Sequence, residues 1–169
     1  KVGMMDADLA VKIMYADASA DELAEKAKEY DALQGSVMTA ARRGYVDLIV
    51  DPADSPKRIF QKVEDMGAKP VGILLTHGHF DHVMALPYLM EQKPDLNVYL
   101  YESEAEVLAS PDLNLGSMMG MNLSLKANHL VKDGEIIDVL GTKVKCIHVP
   151  GHTKGGVCYY FADYGWLIS

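Results

Sequence analysis

Apolar and polar residues follow two patterns along this chain, one typical of strands and one typical of helices. Short apolar runs predict buried strands at 45–50, 71–75, 97–101 and 156–161. Two further strands around Gly141 are predicted to form a hairpin, at 136–140 and 142–149. Apolar residues spaced three to four positions apart predict helices after Ser19, after Ser55 and across 83–92. This mixed order of strands and helices favours sheets covered by helices.

The starts of two helices are marked by capping residues. Ser19 and Glu22 form the Ser-x-x-Glu pattern of a capping box, and Ser55 precedes Pro56 at the first helical position. Residues 1–15 are apolar without a clear period, so they suit either a strand or a short helix. We expect the helix after Ser19 to serve packing or a dimer contact rather than catalysis.

A short polar stretch, 76–82, carries the candidate chemistry. Imidazole and carboxylate groups are concentrated here, at His77, His79, Asp81 and His82. These are ligand types that bind zinc, iron or manganese. Burying so many polar rings side by side without an ion would leave donors and acceptors unpaired. The stretch follows an apolar run, so we expect a metal site in a turn at the end of a rigid strand.

The pattern His77-x-His79-x-Asp81-His82 resembles the signature of the metallo-β-lactamase superfamily, and most of all its small glyoxalase II-like hydrolases. A second segment, 147–160, supports the resemblance because it contains the Pro-Gly-His-Thr turn of that family. The resemblance implies that His77, His79 and His152 hold a first metal ion. It also implies that Asp81 and His82 belong to a second site.

The resemblance implies an α+β fold, the metallo-β-lactamase-type αββα four-layer sandwich. We expect a single domain over 1–169, with an atypical helical segment at 1–36 and the family-like part at 45–169. The family usually begins with strands that carry an Asn-Cys-Tyr segment, and Val37–Arg43 stands in that place without matching it. The first sheet edge is therefore predicted to differ.

The resemblance implies hydrolysis by metal-activated water. The substrate that it favours most is a thioester such as a hydroxyacyl-glutathione-like compound. The cofactor would be one or two zinc ions, with iron or manganese as alternatives, and Asp81 would orient the attacking water or accept its proton. Two other enzyme functions share these motifs: a mononuclear iron persulfide dioxygenase and, ranked lower, a β-lactamase. A hypothesis of another class is a non-catalytic fragment that binds metal or oligomerises.

The sequence ends at Ser169, before the Gly-Asp and the later Pro-Gly-His of the family pattern. We therefore expect an incomplete fold at the C-terminus and half of a second metal site. Either the chain is part of a longer protein, or a homo-oligomer completes the site or the sheet edge. A naturally minimal variant is the third and least favoured explanation.

The amino-acid composition argues against some classes of binding partner. The 169 residues carry a formal net charge of −8, which disfavours nucleic acid and anionic membranes because both need a basic surface. No apolar run approaches the length of a membrane span, and the N-terminus lacks a secretory pattern. A small-molecule substrate and a cytoplasmic location are the resulting expectations. Cys146 and Cys158 are expected to be buried free thiols of a reducing compartment.

The sequence allows two interpretations for Asp51 and for the methionines at 116–121. Asp51 either steadies the histidine cluster or pairs with its own backbone in a turn. His148 is expected to be structural or to support a metal ligand without binding the ion, and His129 is expected to be solvated. The methionines at 116–121 suit an adaptable surface for an apolar group, or ordinary filling under a loop, and we favour the second interpretation.

Overall fold

A computed structural model of the chain describes residues 7–16, 18–34, 48–53, 55–65, 67, 69–139 and 141–169. The described strands form two four-stranded sheets. Sheet A is parallel and contains, in spatial order, β1 (Leu48–Val50), β2 (Gly72–Leu74), β3 (Asn97–Tyr101) and β4 (His129–Val131). Sheet B is antiparallel and contains β5 (Ile136–Val139), β6 (Thr142–His148), β7 (Val157–Phe161) and β8 (Trp166–Ile168).

The described helices lie before and between the strands of sheet A. Among the described residues, two helices precede it, α1 (Ala7–Met14) and α2 (Ala20–Gln34). Four others connect its strands, α3 (Pro56–Asp65), α4 (Phe80–Val83), α5 (Leu86–Gln92) and α6 (Ala105–Ala109). Short 3₁₀ turns lie at Glu102–Glu104, Gly116–Met119 and Ala162–Tyr164. In the described residues, no helix combines the length and apolar character that crossing a membrane would require.

Alternation along the strands divides the core into layers, since successive side chains of a strand point to opposite faces. In β2, Ile73 packs with the helices on one face of sheet A, while Leu74 faces sheet B. In β7, Tyr159 faces sheet A and Cys158 faces outward. The core between the sheets also includes Trp166 of β8. The order of layers is therefore helices, sheet A, sheet B, helices, which confirms the predicted αββα fold class.

The outer layer over sheet B is formed by α1 and α2. Val11 is buried in one cluster with Cys158 and Leu167, and the Tyr30 hydroxyl donates a hydrogen bond to the Leu167 carbonyl at 3.2 Å. The region 1–15, for which the sequence allows a strand or a short helix, is helical at Ala7–Met14 and continues into a turn at Tyr15. The N-terminal helices thus cover an apolar sheet face that would otherwise be exposed to water.

Most local predictions agree with the structure. The capping box is formed, since the Ser19 N–H donates to Glu22 Oε2 at 2.9 Å and the Glu22 N–H donates to Ser19 Oγ at 3.4 Å. Ser55 accepts the first hydrogen bonds of α3 through its carbonyl. The predicted 83–92 helix is two helices, with Ala85 between them in the helical region. Positions 37–47, including the start of the predicted 45–50 strand, lie outside the described residues.

The two cysteines are buried free thiols, as predicted. They lie on neighbouring strands, but Cys146 belongs to the core between the sheets and Cys158 to the outer cluster. Burial raises the pKa of the Cys146 thiol to about 12 and that of Cys158 to about 11. Both thiols are therefore protonated and inert at neutral pH.

The methionine loop corrects one prediction. Met118 is 81% exposed and Met119 is 60% exposed, so these side chains do not fill space under the loop. The loop is instead held by Asn114, which is fully buried and bonds to the Leu123 carbonyl through its amide nitrogen. The exposed thioethers are anchored at their base and face solvent.

Candidate metal centre

The candidate site lies at the carboxyl ends of the strands of sheet A. Asp51 directly follows β1, His77 lies three residues after β2, and Glu104 ends the turn that follows β3. Parallel strands bring these ends to one edge, which is where open α/β sheets commonly bind ligands. His152 reaches the same edge from the loop between β6 and β7. Both sheets therefore contribute to one site.

Three imidazole rings form the centre of the site. The ring centroids of His77, His79 and His152 lie 4.8–4.9 Å apart, and each pair of rings is close to perpendicular. One ligand nitrogen from each ring lies within 4.8 Å of the others. The His79 Nδ1 and His152 Nε2 atoms are 3.1 Å apart. Tetrahedral zinc with bonds of about 2.0–2.1 Å separates its nitrogen ligands by roughly 3.3 Å, and the His79–His152 distance is close to that value.

His77 has a defined tautomer and an unpaired nitrogen. Its Nδ1 lies 3.0 Å from Thr76 Oγ1, and the Thr76 hydroxyl donates its proton to Asp51 Oδ2 at 2.6 Å. Thr76 Oγ1 can therefore only accept from His77, which leaves the His77 Nε2 lone pair free. That Nε2 atom is buried and has no hydrogen-bond partner among the described residues. A buried acceptor without a partner is what a metal ligand would present here.

Burial and neighbouring rings disfavour the protonated forms of His77 and His79. Burial lowers the pKa of His77 to about 4, with further lowering from the His82 charge. Burial also lowers the pKa of His79, and His152 adds to that effect. Neutral imidazoles are the form that coordinates metal, so the site favours a cation held by lone pairs over bound protons.

Asp51 resolves the two interpretations left open by the sequence. Its carboxylate accepts hydrogen bonds from the Thr76 N–H at 2.7 Å and from His82 Nδ1 at 3.0 Å. The bond to Asp51 raises the pKa of His82 and directs its Nε2 away from Asp51. Asp51 also has a φ of 41°, a left-handed conformation that Asp tolerates better than most residues. Its side chain therefore orients the site, and does not merely close a turn.

Asp81 lies on the rim of the cluster. Its side chain is 58% exposed, and Oδ2 lies 3.8 Å from His82 Nε2. The His82 ring in turn lies 4.1 Å from the His77 ring, measured between centroids. The structure thus brings all five predicted ligand residues to one place, with three converging and two at the side.

The other histidines do not join the cluster. The His148 ring stacks on Tyr101 at 4.3 Å, and its Nε2 lies 2.9 Å from the Lys154 carbonyl oxygen. It supports the loop that carries His152, in agreement with the structural role predicted for it. His129 is exposed, but it stacks on Tyr99 and bonds to Asn97, so it is not simply solvated. Glu104, which the sequence analysis did not select, is fully buried beside the cluster.

A cavity of about 620 Å³ opens beside the imidazoles. This volume suits a small-molecule ligand. His79 and His152 form one wall, and Val107, Leu113 and Pro150 give apolar contacts. Polar groups also line it, namely those of Ser103, Glu106, Thr153 and Lys154. A bound molecule could therefore place a reacting group at the histidines and an apolar group against Leu113.

Comparisons with known proteins agree with the geometry. A sequence profile of the metallo-beta-lactamase superfamily matches residues 41–169. The probable metallo-hydrolase YqgX of Bacillus subtilis (strain 168) is 39% identical over 125 residues, covering 72% of this chain and 58% of that protein. A hydroxyacylglutathione hydrolase of Synechococcus sp. (strain JA-2-3B'a(2-13)) is 33% identical over 120 residues, covering 71% of this chain and 41% of that protein.

A solved structure shares the architecture. The crystal structure of BLEG-1, a B3 metallo-beta-lactamase, superposes with a TM-score of 0.63 at 29% identity, covering 69% of this chain and 56% of that chain. This chain thus spans about two fifths to three fifths of the lengths of the proteins that it matches here.

Proposed function

This chain belongs to the metallo-beta-lactamase superfamily, and from that premise we propose that it is a metal-dependent hydrolase acting on a thioester. The observation that carries the proposal is the convergence of His77, His79 and His152 around the unpaired His77 Nε2. Glyoxalase II-like relatives support a thioester as the substrate class, because hydroxyacylglutathione hydrolases are among the proteins similar to this chain. The match covers 41% of that relative's length. We therefore propose, for this chain, both the thioester substrate and the hydrolase activity.

In this proposal His77, His79 and His152 hold a first ion, and Asp81 with His82 contributes to a second. Zinc is the proposed metal, since imidazole-rich tetrahedral sites suit it, and iron or manganese are the alternatives. The ion would lower the pKa of bound water and polarise the substrate carbonyl.

The protein's own groups have separate roles around that chemistry. Asp51 acts through Thr76 and His82 and fixes which imidazole nitrogens carry protons. Asp81, exposed on the rim, is proposed to orient the attacking water or accept its proton, because its carboxylate is the group of the motif that stays accessible. The cavity beside His79 and His152 would seat the acyl portion of the substrate.

The test is a hydrolysis assay on the zinc-loaded chain with a hydroxyacyl-glutathione thioester and, in parallel, a chromogenic cephalosporin. We expect thioester cleavage to exceed β-lactam cleavage. An Asp81→Asn variant should lower kcat by about 10²-fold or more, as loss of a general base does. The control is Asp95→Asn, an exposed carboxylate outside the site, which should behave like the parent. Faster cephalosporin cleavage would replace the thioesterase proposal with the β-lactamase function.

A second candidate is an iron persulfide dioxygenase. The observation favouring it is that only three ligand atoms converge within 4.8 Å among the described residues, a mononuclear arrangement. Oxygen consumption by the iron-loaded chain with a persulfide substrate, without thioester turnover, would establish this function instead. Bound metal with neither activity would indicate a metal-binding module that is inactive alone. A homo-oligomer that completes the second site and a cytoplasmic location remain predictions.

A further inference from the structure

The carboxylate of Glu104 is a buried charged group that the metal cluster does not use as a ligand. Its side chain is 0% exposed, at the end of the turn after β3. Burying a carboxylate is costly unless its oxygens accept hydrogen bonds. The position therefore requires strong donors, and their identity indicates what the side chain does.

Both oxygens of Glu104 accept hydrogen bonds from backbone N–H groups of the metal-site loops. Oε2 accepts from the Gly78 N–H at 3.0 Å, and Oε1 accepts from the Gly155 N–H at 2.8 Å. Gly78 stands between His77 and His79, and Gly155 follows His152 by three residues. One carboxylate thus connects the two loops that carry the three converging imidazoles.

The two glycines allow this close approach. A Cβ on Gly155 would lie 2.7 Å from Glu104 Cγ and 3.0 Å from the Glu104 nitrogen, and it would also strike Ser103 Oγ. A Cβ on Gly78 would lie 2.9 Å from the Leu108 nitrogen. Real Cβ atoms essentially never lie that close to neighbouring atoms, so both positions require glycine. The backbones of the two loops therefore contact the 103–108 segment directly.

We propose that Glu104 is a positioning residue, which fixes the separation of His77 and His79 from His152 by binding the Gly78 and Gly155 amides with one carboxylate. The inference rests on the proposed function insofar as the three imidazoles hold a metal. Some residues hold metal ligands in place without binding the metal themselves. Removing such a residue commonly lowers metal affinity by about 10–100-fold. Glu104 acts on the loop backbones rather than on the rings, so its effect is on the distance between ligands.

The test compares zinc affinity in Glu104→Gln and Glu102→Gln chains. Gln keeps the shape of Glu104, but its NH₂ group faces one of the two backbone N–H groups that the carboxylate oxygens accept from. Glu102 is exposed in the same turn, so its variant removes the same charge without breaking the connection. Zinc affinity is measured by competition with a chromophoric chelator. Hydrogen exchange of the Gly78 and Gly155 amides and the unfolding free energy are measured on metal-free protein.

We expect Glu104→Gln to weaken zinc binding by about 10–100-fold and to speed exchange at whichever of the two glycine amides loses its acceptor, while Glu102→Gln matches the parent. A Glu104→Asp chain keeps the charge but is one methylene shorter, so it should bind zinc with intermediate affinity. This variant also provides the measurement if Glu104→Gln does not fold.

Two results overturn the inference. Lower stability with unchanged zinc affinity would make Glu104 a purely structural residue. Unchanged exchange at Gly78 and Gly155 would mean that the carboxylate does not hold the loops. If the parent chain binds no zinc, the proposed function fails, and amide exchange in the metal-free protein alone decides whether Glu104 connects the two loops.

Discussion

Asp51 and Thr76 are joined by two hydrogen bonds, from the Thr76 N–H at 2.7 Å and from its hydroxyl at 2.6 Å. The first bond ties the end of β1 to the turn after β2. The second uses the only hydroxyl proton, so Thr76 Oγ1 must accept from His77 Nδ1. The Asp51 side chain thus determines both the position of the turn after β2 and the tautomer of His77, a candidate metal ligand.

Replacing Thr76 with Val tests this relationship. Val keeps the shape of the side chain and the backbone bond to Asp51, but His77 Nδ1 loses its partner. We expect metal affinity to fall by about tenfold, because the ring is no longer held in one tautomer and orientation. The measurement is zinc competition, and Thr142→Val in β6, away from the site, is the control. Equal affinities in the two variants would contradict the role assigned to the hydroxyl.

Removing His152 separates metal binding by the cluster from adventitious binding. We expect His152→Ala to lose most of the metal that the parent retains, since two imidazoles alone form a weak site. His129→Ala is the matched control because His129 lies on β4 and bonds to Asn97, outside the cluster. Elemental analysis of protein purified without added metal gives the readout. Retention of the parent's metal content by His152→Ala would place the ion elsewhere.

The sequence predicted the parts of the site that lie close together along the chain. His77 and His79 follow an apolar strand in one short turn, so their pairing is a local property. His152 is 73 residues from His79, and only the resemblance to a family connected them before the structure was known. Residue type and spacing suffice for a local ligand pair, but a third ligand depends on how the two sheets pack.

Glu104 could not be found from its own surroundings. Its partners are 26 residues before it and 51 residues after it, and no local pattern distinguishes it from the exposed Glu102 or Glu106.

Strand β4 was not predicted, for a related reason. Only Val131 of its three residues is buried, and the strand exists because its backbone pairs with β3.

The contribution of the N-terminal helices can be measured through Val11. This side chain is 1% exposed and packs in one cluster with Cys158 and Leu167 on the outer face of sheet B. We expect Val11→Ala to lower the unfolding free energy by about 2 kcal/mol, from lost burial and the cavity left behind. Ile136→Ala, at a side chain that is 61% exposed, should cost clearly less. Equal effects in urea unfolding would show that α1 adds little to the core.

The last prediction concerns the pH dependence of the metal-free chain. Burial lowers the pKa of His77 from 6.5 to about 4, so the unfolded chain takes up this proton at a higher pH than the folded chain does. Between pH 6.5 and 4 the unfolded state binds more protons, and the unfolding free energy falls as pH falls. At 1.36 kcal/mol per pKa unit the loss from His77 approaches about 3 kcal/mol.

His79 changes stability in the same direction, because burial also lowers its pKa. His82 acts oppositely, since its bond to Asp51 raises its pKa and gives stability that is lost as pH rises through the folded value. Urea unfolding with a chelator present, repeated across this pH window, measures the combined slope. A His77→Gln variant should have a shallower slope than the parent whatever its stability at neutral pH, because Gln does not titrate. Parallel curves for the two chains would mean that His77 is not held neutral by burial, and the unpaired Nε2 would then lose its significance as a preformed metal ligand.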